Sequence, residues 1–179
     1  WRERKPERAR AAYDQFAPLD GRFLPNVYLQ IKNGPMDFQP REPVSPLFGA
    51  MGGTRKALEL QIAQEYTGQQ RHACYLPEQW RVYLDTEIRD GPSARLADAA
   101  DAFVAVSNLG DDPNWCGHDL AQANWFGFGR LAWDPDLAPS GIAREWAALT
   151  FGPESGLAEE IASVLLGTWR AYESYTAPL

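Results

Sequence analysis

The side chains of this chain that best suit bond-breaking chemistry are two carboxylates and a lysine: Asp37, Glu65 and Lys32. Lys32 and Asp37 lie in QIKNGPMDFQPREP, residues 30–43, where three prolines and a glycine occur and the prolines restrict the backbone. Glu65 ends the segment LELQIAQE, residues 58–65. Charged groups in such segments are either a solvated surface or a fixed set of catalytic groups.

Two carboxylates beside a cation suit glycoside hydrolysis with inversion. One carboxylic acid protonates the leaving oxygen, and a carboxylate about 6.5–9.5 Å away activates the attacking water. A neighbouring ammonium favours the ionised form of that carboxylate and can also bind an anionic group of the substrate. The residue types leave a second interpretation open, in which Asp37 is solvated and the charges form a structural ion pair.

Alternation of apolar and polar residues predicts three strands that would position these groups. Residues 27–32, VYLQIK, place Lys32 on the polar face at the carboxyl end of a strand. Residues 58–65 do the same for Glu65, and a third strand, AFVAVSN, ends at Asn108. One apolar and one polar face distinguish these strands from those of a doubly wound sheet, where both faces are covered.

Helical patterns surround these strands and complete the predicted architecture. They occur at 1–17, 77–87, 119–133, 140–150 and 154–175. Alternation of strands and helices indicates an α/β fold with a parallel sheet. We expect part of a (β/α)₈ TIM barrel with about three βα units, followed by C-terminal helices. Residues 1–137 would form the C-terminal portion of the catalytic barrel, and residues 138–179 a helical segment closing it.

Composition narrows the function classes and the setting. The formal net charge of −7 argues against a nucleic-acid or anionic-membrane partner. No apolar run approaches the ~20 residues that span a bilayer, and no signal peptide is visible, so we expect a cytoplasmic protein. Two distant cysteines, Cys74 and Cys116, predict free thiols. Because the chain starts at Trp1 rather than Met, within a helical pattern, and stops just after a long helical pattern, we expect a fragment of a longer polypeptide.

Three blocks of the sequence resemble the α-glucuronidases of glycoside hydrolase family 67, in the family's order. They are QIKNGPMDFQPREPVSPLFGAM, LELQIAQEYTGQ and SNLGDDPNWCGHDLAQANWFGFGRLAWDPDL, and they cover most of residues 23–137. The resemblance implies hydrolysis, with inversion, of the α-1,2 bond between (4-O-methyl-)glucuronic acid and xylose during xylan breakdown. It implies neither metal nor cofactor. The expected partner is a glucuronic-acid-substituted xylooligosaccharide, and the sequence leaves open whether the longer protein is a homodimer.

The resemblance also implies roles for particular residues. The carboxylate of the family's KNGPxDF motif falls on Asp37 and that of its QEY motif on Glu65, both candidates for the general base. The motif lysine falls on Lys32 and would pair with the uronate carboxylate. The family's general acid lies on an earlier strand, upstream of residue 1, so the isolated chain is expected to be inactive. The alternative is a truncated, non-catalytic chain with at most weak uronate binding.

Four further residues are candidates for substrate binding. Arg41 either contacts substrate or pairs with Glu42 to brace the Pro-rich loop. Asn108, Trp115 and His118 follow the third strand, where barrel enzymes place their active sites. For each of these three, anchoring of the loop is the alternative role.

Overall fold

The structure of the protein is a computed structural model that describes residues 7–88, 94–153 and 156–176. The chain divides into two compact units, one within Trp1–Leu60 and Tyr83–Val104, the other within Gln61–Val82 and Ala105–Leu179. In chain order the helices and strands are α1 (Arg8–Phe16), β1 (Tyr28–Lys32), α2 (Leu47–Ala50), β2 (Arg55–Gln61), α3 (Pro77–Leu84), α4 (Leu96–Ala99), β3 (Ala102–Val106), α5 (Gln122–Trp133), α6 (Pro139–Phe151) and α7 (Leu157–Thr176).

The three strands form one sheet in the order β1-β2-β3. β1 and β2 are parallel, with a register that runs from Tyr28 opposite Arg55 to Lys32 opposite Glu59. β3 runs the same way: Asp101 N–H donates to the carbonyl of Lys56 near the strand starts, and Ile62 N–H donates to that of Val106 near the ends. The predicted α/β class is confirmed, and closure into a (β/α)₈ barrel stays a prediction.

The second predicted strand is displaced. It occupies Arg55–Gln61 rather than 58–65, so Glu65 lies in the turn after β2 and not at the end of the strand. Just before Glu65, Gln64 has a positive φ of 54°, which turns the backbone away from the extended path. The assignment of Glu65 to one face of the strand is therefore wrong, and its position depends on the turn.

Among the predicted helices, the patterns at 119–133 and 140–150 are confirmed within a few residues, although a 3₁₀ turn at Asp119–Ala121 precedes α5. The first predicted helix is shorter, at Arg8–Phe16, and its predicted residues 1–6 lie outside the described residues. The last begins at Leu157, and residues 154–155 likewise lie outside.

The core of the second unit lies among α5, α6 and α7. Tyr75 packs into a cluster of small and aromatic residues with Ala123, Ala143, Trp146, Ala147, Ala162 and Leu165. Its hydroxyl donates to the carbonyl of Pro139 at 2.9 Å, which satisfies the buried polar group. On α7, Ala162, Leu165 and Tyr172 are buried, whereas Leu157 and Val164 are exposed.

In the first unit, Asp20 connects the turn before β1 to the start of β2. The backbone N–H of Gly53 donates to the Asp20 carboxylate at 2.9 Å, and the hydroxyl of Thr54 donates to it at 2.8 Å. The Thr54 hydroxyl oxygen accepts in turn from the N–H of Gly21 at 3.0 Å. A carboxylate that accepts several hydrogen bonds is stabilised in its charged form.

This network makes the stability of the chain depend on pH. Burial acts to raise the pKa of the Asp20 carboxyl, but the hydrogen bonds from Gly53 and Thr54 outweigh it and hold the pKa below its ordinary 3.8. A depressed pKa contributes stability above the unfolded pKa, and this is lost as the pH falls through the folded pKa. We expect the melting temperature of the wild-type chain to fall more steeply below about pH 4 than that of Asp20→Asn. The exposed control Asp111→Asn should follow the wild type; equal slopes for wild type and Asp20→Asn would contradict the prediction.

Candidate active-site residues

In the first unit, the carboxyl end of β1 brings Lys32 and Asp37 together. The Nζ of Lys32 donates to Oδ1 of Asp37, and both side chains are partly exposed. The same ammonium lies 4.8 Å from the centroid of the Phe38 ring, a favourable cation–π distance. The predicted cation and carboxylate therefore share one site, open to solvent.

The loop that carries Asp37 is closed by a carboxylate. Glu42 accepts hydrogen bonds from the backbone N–H groups of Met36 at 2.7 Å, Asp37 at 2.8 Å and Gln39 at 3.0 Å. Sequence reasoning offered an Arg41–Glu42 pair as the brace of this loop. The structure shows a brace in which Glu42 binds the backbone itself, and contact of Arg41 with substrate stays a prediction.

Two residues of this loop hold unusual backbone conformations. Phe38 has a φ of 58° and Arg41 a φ of 62°, both in the left-handed region that side chains with a Cβ rarely adopt. Such conformations persist only where their surroundings fix them, and they cluster at functional sites. The Phe38 side chain is buried beneath the lysine, which gives this conformation a packing partner.

The face of the sheet that carries Lys32 also carries a buried polar side chain. Nε2 of Gln30 donates to Oε2 of Glu59 at 2.8 Å, and Glu59 is 8% exposed. On the opposite face of β2, Lys56 is also buried and donates from Nζ to the carbonyl of Met51 at 2.8 Å. The sequence indicated polar residues on one face of β2, but it did not indicate that the central strand of the sheet is covered on both faces.

In the second unit, Glu65 lies at an open cavity of about 500 Å³ that Gln69 and Asn108 also line. Its Oε2 accepts from Nε2 of Gln61 at 3.3 Å, and its backbone N–H donates to Oε1 of the same glutamine at 3.3 Å. The carboxylate is exposed. A water molecule can therefore reach it, as a general base requires.

A second cavity of this unit, of about 410 Å³, is lined by Trp115 and Asn108. The Trp115 side chain is 38% exposed, and its ring meets that of Trp125 edge-on at 5.0 Å. The carbonyl of Asn108 accepts from Nε2 of Gln70 at 3.2 Å, as does the carbonyl of Cys116. This loop is thus anchored by Gln70, and Trp115 keeps part of its ring accessible to a ligand.

His118 is half-buried rather than presented to solvent. Burial lowers the pKa of its imidazole, against the opposing effects of a hydrogen bond with the backbone of His72 and of the nearby Asp119. Within the part of the chain that the structure describes, its Nε2 is buried without a hydrogen-bond partner. The lowered pKa favours the neutral imidazole, which carries no positive charge to pair with a uronate.

Sequence reasoning missed the buried amides that hold the turn before α3. Oδ1 of Asn124 accepts from the N–H of Leu76 at 2.9 Å, and its Nδ2 donates to the carbonyl of Cys74 at 2.9 Å. Gln64, the residue before Glu65, donates from Nε2 to the carbonyl of Thr67 at 2.7 Å. Both amides are almost completely buried. A polar residue on the apolar side of the predicted helix at 119–133 was the available signal.

Within residues 7–88, 94–153 and 156–176, no group of three or more His, Cys, Asp or Glu side chains could hold a metal ion. No helix in the described ranges has the length and apolarity needed to cross a membrane. Cys74 and Cys116 are both free and buried, as the sequence predicted.

Comparison with known proteins gives the family. The curated relatives include the probable alpha-glucuronidase A of Aspergillus clavatus, 43% identical over 183 residues, which are 97% of this chain and 22% of the relative. The alpha-glucuronidase A of Aspergillus tubingensis is 42% identical over 185 residues, 98% of this chain and 22% of the relative. The chain therefore spans about a fifth of the length of these relatives. Residues 1–115 match the glycosyl hydrolase family 67 middle domain and residues 116–179 the family 67 C-terminus, so the chain belongs to glycosyl hydrolase family 67.

Proposed function

We propose that this chain is part of an α-glucuronidase that hydrolyses, with inversion, the α-1,2 bond between (4-O-methyl-)glucuronic acid and xylose in xylooligosaccharides. The observation that carries the proposal is the Lys32–Asp37 pair at the end of β1, in a chain of family 67. The names of the relatives, alpha-glucuronidase A, support the substrate class. The exposed cation suits the uronate carboxylate, and the exposed carboxylate of Glu65 suits an attacking water.

The chemistry assigns a task to each of the three charged groups. Lys32 binds the glucuronate carboxylate, because a compact ammonium pairs well with a single anion. Asp37 or Glu65 accepts a proton from water while the water oxygen forms a bond to the anomeric carbon. The bond from that carbon to the xylose oxygen breaks, and a general acid protonates the departing oxygen. No residue of this chain is assigned as that acid, so we expect negligible turnover from these 179 residues alone.

The remaining candidates contribute neutral contacts and one further charge. Trp115 offers an accessible ring face for a sugar, and Asn108 lines both cavities of the second unit. His118, half-buried and with its pKa lowered by burial, suits anchoring of the loop better than contact with substrate. Arg41 is exposed in the loop after β1 and adds a second positive charge to that of Lys32.

The test is release of 4-O-methylglucuronic acid from aldouronic oligosaccharides. It compares the 179-residue chain with the full-length product of the gene that encodes it, and unsubstituted xylooligosaccharides serve as the control. We expect release by the full-length product only, and NMR of the first product should show the β anomer. If the full-length product releases nothing, the proposal is wrong. Release by the 179-residue chain would instead show that a general acid lies within it.

The alternative is a non-catalytic chain that binds a uronate weakly, and the Lys32 site is the observation that favours it. Calorimetric titration of the 179-residue chain with glucuronic acid, beside a Lys32→Ala variant, measures this. Binding by the wild type that Lys32→Ala abolishes, together with an inactive full-length product, would establish the alternative in place of the enzyme.

A further inference from the structure

We infer that Glu42 is a positioning residue for the general base: it binds the backbone of residues 36–39 and thereby holds the Asp37 carboxylate at Lys32. This inference rests on the proposed function, because it concerns the same reaction. Glu42 takes no part in the reaction steps described above, so its positioning role is additional to them.

The contacts divide between the two oxygens of the Glu42 carboxylate. Oε2 accepts from Met36 N–H, and Oε1 accepts from the N–H groups of Asp37 and Gln39. A charged acceptor makes stronger hydrogen bonds than a neutral one. The peptide group that carries Asp37 is thus bonded directly to Glu42, so the position of the catalytic side chain depends on this one carboxylate.

Gly34 lacks a side chain, and the Glu42 side chain occupies the space that a Cβ at this position would fill. A Cβ added at Gly34 would overlap Oε2 of Glu42 and would lie 2.7 Å from the Cβ of Glu42. Real Cβ atoms essentially never approach other heavy atoms so closely. A glycine at this position therefore allows Glu42 to approach the loop, and loss of either residue disturbs the same contact.

The backbone that Glu42 holds is one that would not persist by itself. Phe38, between the bonded amides of Asp37 and Gln39, has a φ of 58°, a conformation that is unfavourable for a residue with a side chain. Its ring lies under the Lys32 ammonium while Asp37 bonds the same ammonium. When Glu42 no longer fixes the loop, relaxation of Phe38 moves Asp37 away from Lys32.

The contrasting interpretation is a brace that contributes only to stability. Such a brace would lower the melting temperature, and the folded enzyme would keep its kcat. A positioning residue acts on kcat in the folded enzyme, because a displacement of about 1 Å from the productive geometry can cost 10²-fold in rate. It leaves KM nearly unchanged, because Lys32 lies on β1 and not in the loop.

The decisive experiment measures kcat and KM of Glu42→Gln in the full-length gene product, at a temperature where circular dichroism shows the variant fully folded. An amide replaces one acceptor oxygen by an NH₂ group, which cannot accept from a backbone N–H. We expect kcat to fall about 10²-fold with KM within about threefold of the wild type. The matched control is Glu160→Gln, on the exposed side of α7, which should leave both constants unchanged.

Gly34→Ala tests the same contact from the other side, and it decides the question if Glu42→Gln does not fold. We expect the same loss of kcat, and no multiplication of the two losses in the double variant, because both act through one contact. A folded variant with kcat within threefold of the wild type, or with losses that multiply, overturns the inference. The result for Asp37→Asn distinguishes failure of this inference from failure of the proposed function. If Asp37→Asn is inactive while Glu42→Gln is active, only the role of Glu42 is wrong.

Discussion

Replacement of Asp37 by Asn in the full-length gene product is expected to lower kcat by about 10²–10⁴-fold, the usual contribution of a general base. The amide cannot take a proton from water, yet it matches the carboxylate in size. The backbone N–H of residue 37 donates to the Glu42 carboxylate, so this hydrogen bond survives the change of side chain. The loop should therefore keep its shape, and the loss should fall on kcat and not on the melting temperature.

Steady-state release of 4-O-methylglucuronic acid gives the rate, and thermal unfolding monitors the fold. The matched control is Asp14→Asn, which removes only an exposed ion pair with Arg10 on α1; such pairs contribute about 0–1 kcal/mol. We expect the control to keep both rate and stability. If Asp37→Asn retains near-normal kcat, Asp37 is not the base, and Glu65 becomes the remaining candidate.

How far the sequence predicts the site is shown by Lys32 and Glu65. Lys32 was placed correctly at the carboxyl end of β1, because strict alternation over five residues specifies both the strand and its faces. Glu65 was placed wrongly in a strand, because the pattern LELQIAQE continues the alternation past the point where Gln64 turns the chain. A positive φ at a glutamine leaves no mark in the hydrophobic pattern.

The supporting residues were harder to predict for a different reason. Glu42, Gln64 and Asn124 all act by binding backbone groups. Any carboxylate or amide can do this, so the residue type does not reveal which backbone group is the partner. The candidate groups were therefore predictable from motif and strand position, whereas the residues that hold them depend on the path of the loops.

Replacement of Glu65 by Gln in the full-length gene product is expected to lower kcat by about 10²-fold or more. Its carboxylate faces a cavity large enough for several waters, and its exposure permits exchange of the proton. The glutamine can keep the contact with Gln61, because an amide both donates and accepts. We therefore expect the variant to lose the negative charge of residue 65 and to keep the conformation of the turn after β2.

The double variant with Asp37→Asn distinguishes two arrangements of the base. If one carboxylate takes the proton and the other orients the same water, the two act as a unit and the double variant is scarcely slower than the slower single variant. Losses that multiply would mean independent roles. The matched control is Gln122→Glu at the start of α5, a charge change outside both cavities, which should leave kcat unchanged. A Glu65→Gln enzyme with near-normal kcat would remove Glu65 from the reaction and leave Asp37 as the sole base among these two carboxylates.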